Sequence, residues 1–124
     1  MNARITRTLA YGLTAALILL WTSAVWAHAF PVRQTPAAGA ELATAPKEIR
    51  IEFDDALEPA FSSLTVTDST GRQVGTVKSQ VLSSDAKVMV LAIPVLPPGT
   101  YRVKWIAVAH DGHRTQGGYM FRVK

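Results

Sequence analysis

The sequence has 124 residues, no cysteine and a formal net charge of +4. This length suits one domain, and the lack of cysteine excludes disulfides, thiolate metal sites and cysteine nucleophiles. The basic residues are scattered rather than clustered, so the positive charge does not indicate nucleic-acid binding.

Residues 1–27 are predicted to be a secretory signal peptide. Arg4 and Arg7 form a basic start, and an apolar run extends from Leu9 to Trp21. Small residues then lead to a cleavage point between Ala27 and His28. An uncleaved N-terminal anchor is the alternative.

Cleavage before Phe30 would also satisfy the preference for small residues, because Ala27 and Ala29 would then lie three residues and one residue before the cut.

Without residues 1–27 the chain has 11 basic and 9 acidic side chains, since only Arg4 and Arg7 are lost, and the net charge falls to +2. No second apolar run reaches membrane length, so the exported form is predicted not to span a membrane.

Residues 28–124 carry the pattern of short strands rather than helices. Apolar residues alternate with polar ones, and Gly, Pro, Asp and Ser separate the segments. The predicted strands are 28–32, 47–53, 63–68, 73–82, 87–93, 100–109 and 117–124. Residues 34–46 are predicted to be an irregular connection. The pattern predicts one all-β domain, an immunoglobulin-like Greek-key β-sandwich or barrel of about seven strands.

Side-chain alternation also predicts which residues face the core. Trp105 is expected inside, on the longest strand, and Tyr119 is expected inside on the closing strand. Met89 and Met120 lie within predicted strands and are interpreted as core residues rather than thioether ligands.

All three histidines fall at two places in the sequence. His28 begins the chain predicted after cleavage, and His110 and His113 flank an Asp-Gly turn at the end of the longest strand. Because a chain end and a strand end can meet at one pole of a sandwich, we expect His28, Asp111 and His113 to come together. A solvated loop histidine and a plain turn are the simpler interpretations.

These side chains would form a nitrogen-rich metal site. The α-amine and ring of an N-terminal His28 can chelate one ion, His113 adds a second imidazole, and Asp111 adds an oxygen. Tetragonal nitrogen and oxygen donors favour Cu(II), although Zn(II) could use the same set. The sequence predicts Cu(II).

Several motifs, in order, resemble the CopC-like family of periplasmic copper-resistance proteins. They are His28-Ala29, residues 35–42, Ala45-Pro46, Pro59-Ala60-Phe61, residues 66–68, residues 98–101, Asp111-Gly112-His113 and residues 117–123. The resemblance implies a periplasmic, seven-stranded immunoglobulin-like fold that binds Cu(II). It also implies that His28, Asp111 and His113 are the ligands, and hence cleavage before His28. A methionine-rich Cu(I) site is not matched, and the role of His110 stays open.

The leading functional hypothesis is a Cu(II) carrier or buffer rather than an enzyme. It would protect against excess copper or pass the metal to a separate inner-membrane copper transport protein. One alternative is a copper-dependent oxidative enzyme of the histidine-brace type, in which a coordinating Asp111 would fill a position that oxygen needs. The other is a metal-free immunoglobulin-like interaction module.

Overall fold

The computed structural model describes residues 28–124, so the predicted signal peptide lies outside the described residues. Residues 28–124 contain no helix that could cross a membrane. Eight strands are present in this range: β1 Pro31–Thr35, β2 Glu41–Leu42, β3 Glu48–Phe53, β4 Ser63–Thr67, β5 Gln80–Val81, β6 Val88–Ala92, β7 Gly99–Val108 and β8 Arg114–Val123.

The strands form two four-stranded sheets that enclose the core. The first sheet has the order β1-β3-β6-β5 and the second has the order β2-β8-β7-β4. Every pair is antiparallel except β2 with β8. The prediction of an all-β sandwich is therefore confirmed, with eight strands instead of about seven. The extra strand, β2, forms where residues 34–46 had been predicted to be irregular.

Three predicted strands have clearly different bounds in the structure. The first, predicted at 28–32, lies at Pro31–Thr35 and so extends into the stretch predicted to be irregular. The predicted strand 73–82 is reduced to the two residues of β5, because Gly75 at φ +71° turns the chain away from extended geometry. The closing strand, β8, begins at Arg114 rather than at Gly117. Two consecutive glycines interrupt the side-chain alternation, so the sequence did not indicate the first three residues of β8.

The core is built on the long hairpin β7–β8. Trp105 is 7% exposed, as predicted, and its ring meets the edge of Phe53 at 5.4 Å between centroids. Tyr101 stacks on Phe121 at 5.5 Å across the hairpin. Aromatic pairs in these geometries contribute about 0.5–1.5 kcal/mol beyond the burial of their area. The hairpin is therefore a rigid support for the turn at its tip.

The two methionines differ in burial. Met89 is fully buried in β6, as predicted, but Met120 is 42% exposed. The prediction for Met120 was wrong because its neighbour Tyr119 pairs with Val103 on the inner face, so strand alternation turns Met120 outward.

Candidate metal centre

The tip of the β7–β8 hairpin is a tight turn that contains the Asp-Gly pair. The amide of Ala109 donates to the carbonyl of His113 at 3.0 Å, and the amide of Gly112 donates to the carbonyl of Ala109 at 2.9 Å. Gly112 has φ +87°, in the left-handed region that a three-residue hairpin loop requires near its end. This backbone fixes the positions of Asp111 and His113.

Within the turn, Asp111 is bonded twice to His113. Its Oδ1 accepts the backbone N–H of His113 at 2.9 Å, and its Oδ2 lies 2.8 Å from the ring Nδ1. The backbone N–H of His113 is the largest cause that lowers the pKa of Asp111, and the ring contact lowers it further. The carboxylate therefore stays charged at neutral pH and sets the orientation of the imidazole.

The start of the described chain is anchored to both sheets at this pole. Ala29 is fully buried, and its carbonyl accepts the hydroxyl of Thr115 in β8 at 2.6 Å. The amide of Phe30 donates to Oδ1 of Asp54 at 2.7 Å, and the amide of Asp54 donates to the carbonyl of Phe30 at 3.0 Å. These contacts place the preceding residue, His28, beside the turn.

His28 and His113 come together, as expected from the sequence. Their ring centroids are 4.9 Å apart, with 50° between the ring planes. Two imidazoles bound to one metal at about 2.0 Å through nitrogen would have centroids roughly 4.5 Å apart at a right angle and roughly 6.3 Å apart in line. The observed separation lies within that range, so the two rings are close enough to share an ion.

The donor atoms are near each other but are not yet arranged around a common point. Among residues 28–124, no three His, Asp or Glu side chains converge closely enough to hold a metal ion as they stand. Oδ2 of Asp111 is directed at the ring of His113 rather than at a point that all three side chains share. Imidazole and carboxylate groups are nevertheless donors that suit a metal such as Cu(II).

His110 belongs to a different contact. Its Nδ1 pairs with Oε1 of Glu58, so it does not join His28 and His113. The same segment is tied to the hairpin by the bridge of Leu57 with Ala109, and by the amide of Glu58 donating to the carbonyl of Val108 at 2.7 Å. His110 and Glu58 therefore fasten the turn to the segment that follows β3.

Sequence reasoning missed the side chains that position this pole, which are Asp54, Glu58 and Thr115. Each acts on a residue far away in sequence, so no local pattern marks it. It also missed the concentration of acidic residues around the pole, where β3 ends and β6 begins. They are Asp54, Asp55, Glu58, Asp85 and Asp111. Lys87, whose Nζ donates to the carbonyl of Asp54 at 3.2 Å, and Arg114 lie at the same end, but the acidic side chains remain in excess there. An excess of negative charge favours the approach of cations.

Residues 31–124 match the model of the CopC domain family. The chain belongs to the CopC family. The residues brought together at the pole, His28 beside the turn of Asp111 and His113, are thus part of a CopC domain and of the segment directly before it.

Relatives of this CopC-family chain include proteins named for copper. Protein YobA of Escherichia coli K12 is 37% identical over 119 residues, covering 95% of this chain and 96% of YobA. Copper resistance protein C of Escherichia coli is 37% identical over 120 residues, covering 90% and 94%. Copper transport protein CutJ of Bacillus subtilis is 33% identical over 99 residues, which are 79% of this chain and 18% of CutJ.

Two solved structures have the same fold. CopC from Methylosinus trichosporium OB3b has a TM-score of 0.73 and 34% identity, covering 78% of this chain and 94% of that one. PcoC from Escherichia coli, described as a methionine-rich copper resistance protein, has a TM-score of 0.69 and 33% identity, covering 79% and 100%.

Proposed function

We propose that this CopC-family protein binds one Cu(II) ion in the periplasm and acts as a carrier or buffer in copper resistance or homeostasis. The copper-resistance names of its relatives support copper as the metal. The observation that carries the proposal is the approach of the His28 ring to within 4.9 Å of the ring of His113, which is itself bonded to Asp111.

The proposed ligands are the α-amine and ring of His28, the ring of His113 and the carboxylate of Asp111. With Nδ1 of His113 bonded to Asp111, the nitrogen proposed to face copper is Nε2, and the carboxylate bond fixes the tautomer. Each carboxylate oxygen has a second lone pair, so Asp111 can bind copper without giving up its bonds to His113. The α-amine, with a pKa of about 7.7–8.0, loses its proton near pH 7 at a cost of about 1 kcal/mol.

Ala29 supports cleavage before His28 rather than before Phe30. Its side chain is fully buried, and its carbonyl accepts the hydroxyl of Thr115. Cleavage before Phe30 would remove a core residue and the shorter of the two acceptors of that hydroxyl, leaving it the carbonyl of Ala107 at 3.5 Å. Folding and metal binding therefore favour the same N-terminus.

The proposed partner is an inner-membrane copper transport protein made as a separate chain. The match to CutJ supports the link with copper transport, because the matched segment there is 18% of a longer protein named for copper transport. A methionine-based Cu(I) site is not proposed. Only Met89 and Met120 follow residue 27, and Met89 is fully buried.

The deciding experiment is a copper titration of protein purified from the periplasm, after its N-terminus is determined by mass spectrometry. We expect a chain that begins at His28 and binds one equivalent of Cu(II), with nitrogen hyperfine structure in the electron paramagnetic resonance spectrum. His113→Ala should remove one of those nitrogens. An unchanged spectrum for this variant would contradict the proposal.

A matched pair of variants tests the amine. An alanine inserted before His28 should weaken Cu(II) binding much more than His110→Ala, because His110 pairs with Glu58 instead of joining the centre. Equal effects of the two changes would refute a role for the amine. Two further assays address the alternatives of a Zn(II) site and of an oxidative enzyme. Cu(II) should displace equimolar Zn(II) from the protein, and the copper-loaded protein should show no oxidative turnover with ascorbate or peroxide.

A further inference from the structure

The outer face of the second sheet is positively charged, in contrast to the acidic metal pole. Strands β7 and β8 contain four basic residues and no acidic one, and β4 contains no charged residue. All four basic side chains are exposed. They are Arg102, Lys104, Arg114 and Arg122.

Most of these cations form no ion pair within the described chain, although Asp68 lines a depression together with Arg102 and Lys104. The carboxylate of Asp68 accepts hydrogen bonds from Thr70 and Arg72 instead. In residues 28–124 no carboxylate forms an ion pair with Arg102, Lys104 or Arg114. Arg122 lies 3.9 Å from Glu41, at the far edge of the sheet. Arg102 and Lys104 point to the same side of β7, where strand geometry places them roughly 7 Å apart. Two cations at this spacing, neither in an ion pair within residues 28–124, match a segment with closely spaced carboxylates.

Beside Lys104 the sheet carries a depression of about 560 Å³. Its lining includes Gly117 and Gly118. Gly118 is at an outward position, where a Cβ would come within 2.6 Å of the Val103 carbonyl and 3.7 Å of the Lys104 side chain. A side chain at Gly118 would therefore force the neighbouring backbone to shift and would narrow the depression. Uncharged hydrogen-bonding groups of Ser63, Thr65 and Gln116 complete its lining.

The depression continues toward the metal pole as an apolar surface. Ile106 lines both this depression and a second one formed with Phe61, Val108, Gly112 and Arg114. Phe61 is 68% exposed. Gly112 stands between Asp111 and His113 in the turn, so the surface reaches the edge of the candidate metal centre.

We propose that this surface, the β4–β7–β8 face from Phe61 to Arg102, is the docking site for a partner polypeptide. The docking segment would carry an apolar side chain for the Phe61 end and carboxylates for Arg102 and Lys104. The inference rests on the proposed function in one respect, namely that the docked partner exchanges copper with the adjacent centre.

The shape and the charge layout of the face favour a protein segment over the other occupants. A recessed groove with hydroxyl and amide groups suits an extended chain, whereas a flat or protruding cationic face would suit a membrane surface. In a second copy, Glu41 and Glu52 already pair with basic residues of their own chain. Five of the other seven carboxylates are those described above at the metal pole. A contact between the metal pole of one copy and the basic face of the next would cover the first copy's metal centre. It would also leave that copy's own basic face open to a third copy, so the assembly would not close.

The test uses periplasmically purified, copper-free protein and a synthetic peptide in which a phenylalanine precedes a run of glutamates. The control peptide has glutamine in place of every glutamate. We expect amide shift changes in nuclear magnetic resonance spectra along β7, β8 and β4 with the acidic peptide only. Lys104→Glu should weaken the acidic peptide about tenfold at low salt. Lys47→Glu, an equal change of charge at the start of β3, should change affinity less than about twofold.

Each other outcome overturns the docking proposal. If Lys104→Glu and Lys47→Glu lost the same affinity for the acidic peptide, the binding would depend only on the net charge of the protein. Binding to anionic phospholipid vesicles but not to the peptide would assign the face to a membrane. Dimers lost on Lys104→Glu would assign it to a second copy. Cu(II) titration of Lys104→Glu distinguishes failure of the docking proposal from failure of the proposed function. If this variant loses the peptide but still binds one equivalent of copper, the proposed function is unaffected.

Discussion

Replacing Thr115 by valine tests how the chain start is held at the metal pole. The hydroxyl of Thr115 donates to the carbonyl of Ala29 at 2.6 Å, joining positions 86 residues apart. Valine keeps the branched shape but places a methyl group against the carbonyl oxygen. The variant therefore removes this hydrogen bond, together with the longer contact of the hydroxyl with the carbonyl of Ala107 at 3.5 Å, without cutting the chain or touching a proposed ligand.

The magnitude follows from the partly buried site of this bond. A typical hydrogen bond contributes about 1 kcal/mol net, and a buried acceptor left without a donor costs about 1–3 kcal/mol. We expect the free energy of unfolding to fall by about 1–2 kcal/mol. For a domain of this size, the midpoint of thermal unfolding should fall by about 5–10 °C. Because His28 loses part of its support, Cu(II) affinity should fall by about tenfold.

Thermal unfolding followed by circular dichroism, with Cu(II) titration against a competing chelator, measures both effects. Thr100→Val is the matched control, since Thr100 lies on the same sheet at the opposite pole, in β7. It should leave copper affinity unchanged. If Thr115→Val bound copper as tightly as the unmodified protein, the Thr115–Ala29 bond would have no part in positioning His28.

Three further predictions concern other parts of the described chain. Tyr119→Phe should stabilise the fold by about 1 kcal/mol in urea unfolding, because the hydroxyl is buried and has no hydrogen-bond partner within residues 28–124. Burial raises the pKa of Tyr119 to about 12, so this tyrosine ionises at lower pH in the unfolded chain than in the folded one. The free energy of unfolding should therefore fall as the pH rises from about 10 toward 12, and Tyr119→Phe should lessen this fall. Gly117→Val should cost about 1–3 kcal/mol and shift the fluorescence of Trp105, because its Cβ would lie 2.6 Å from that ring. Asp111→Asn should flatten the acid limb of the stability profile: the pKa of Asp111 is lowered, so its contribution is present above about pH 4 and lost as the pH falls through the folded value.

Each of these has a contrary result. Destabilisation by Tyr119→Phe would mean that its hydroxyl has a favourable partner. Unchanged emission from Gly117→Val would show that Trp105 can move at no cost. If the stability of Asp111→Asn fell with decreasing pH as steeply as that of the unmodified protein, the bonds with His113 would not favour the charged carboxylate of Asp111 over its protonated form.

The fold was largely predictable because alternation along a strand reports directly on burial. Trp105 and Tyr119 face inward as expected, and the same alternation places Met120 outside, against the separate assumption that it fills the core. The very short strands β2 and β5 were not predictable in their final form, since two residues are too few to show a period.

For the candidate site, the sequence predicted which side chains meet but not what holds them. His28 and His113 meet because one begins the described residues and the other lies in the turn between β7 and β8. The contact of Glu58 with His110 spans 52 positions and that of Thr115 with Ala29 spans 86. Contacts this distant depend on how the two sheets pack, which local patterns do not encode.

The burial of Ala29 has a consequence for the lifetime of the proposed form of the protein that begins at His28. An aminopeptidase needs several extended residues to engage a chain end, but here the backbone is fixed from the residue after His28. Trimming of the first residue would require β1 to detach from β3, a local opening opposed by the packing of both sheets. Resistance to exopeptidases and retention of the proposed chelating terminus are therefore the same property of the fold.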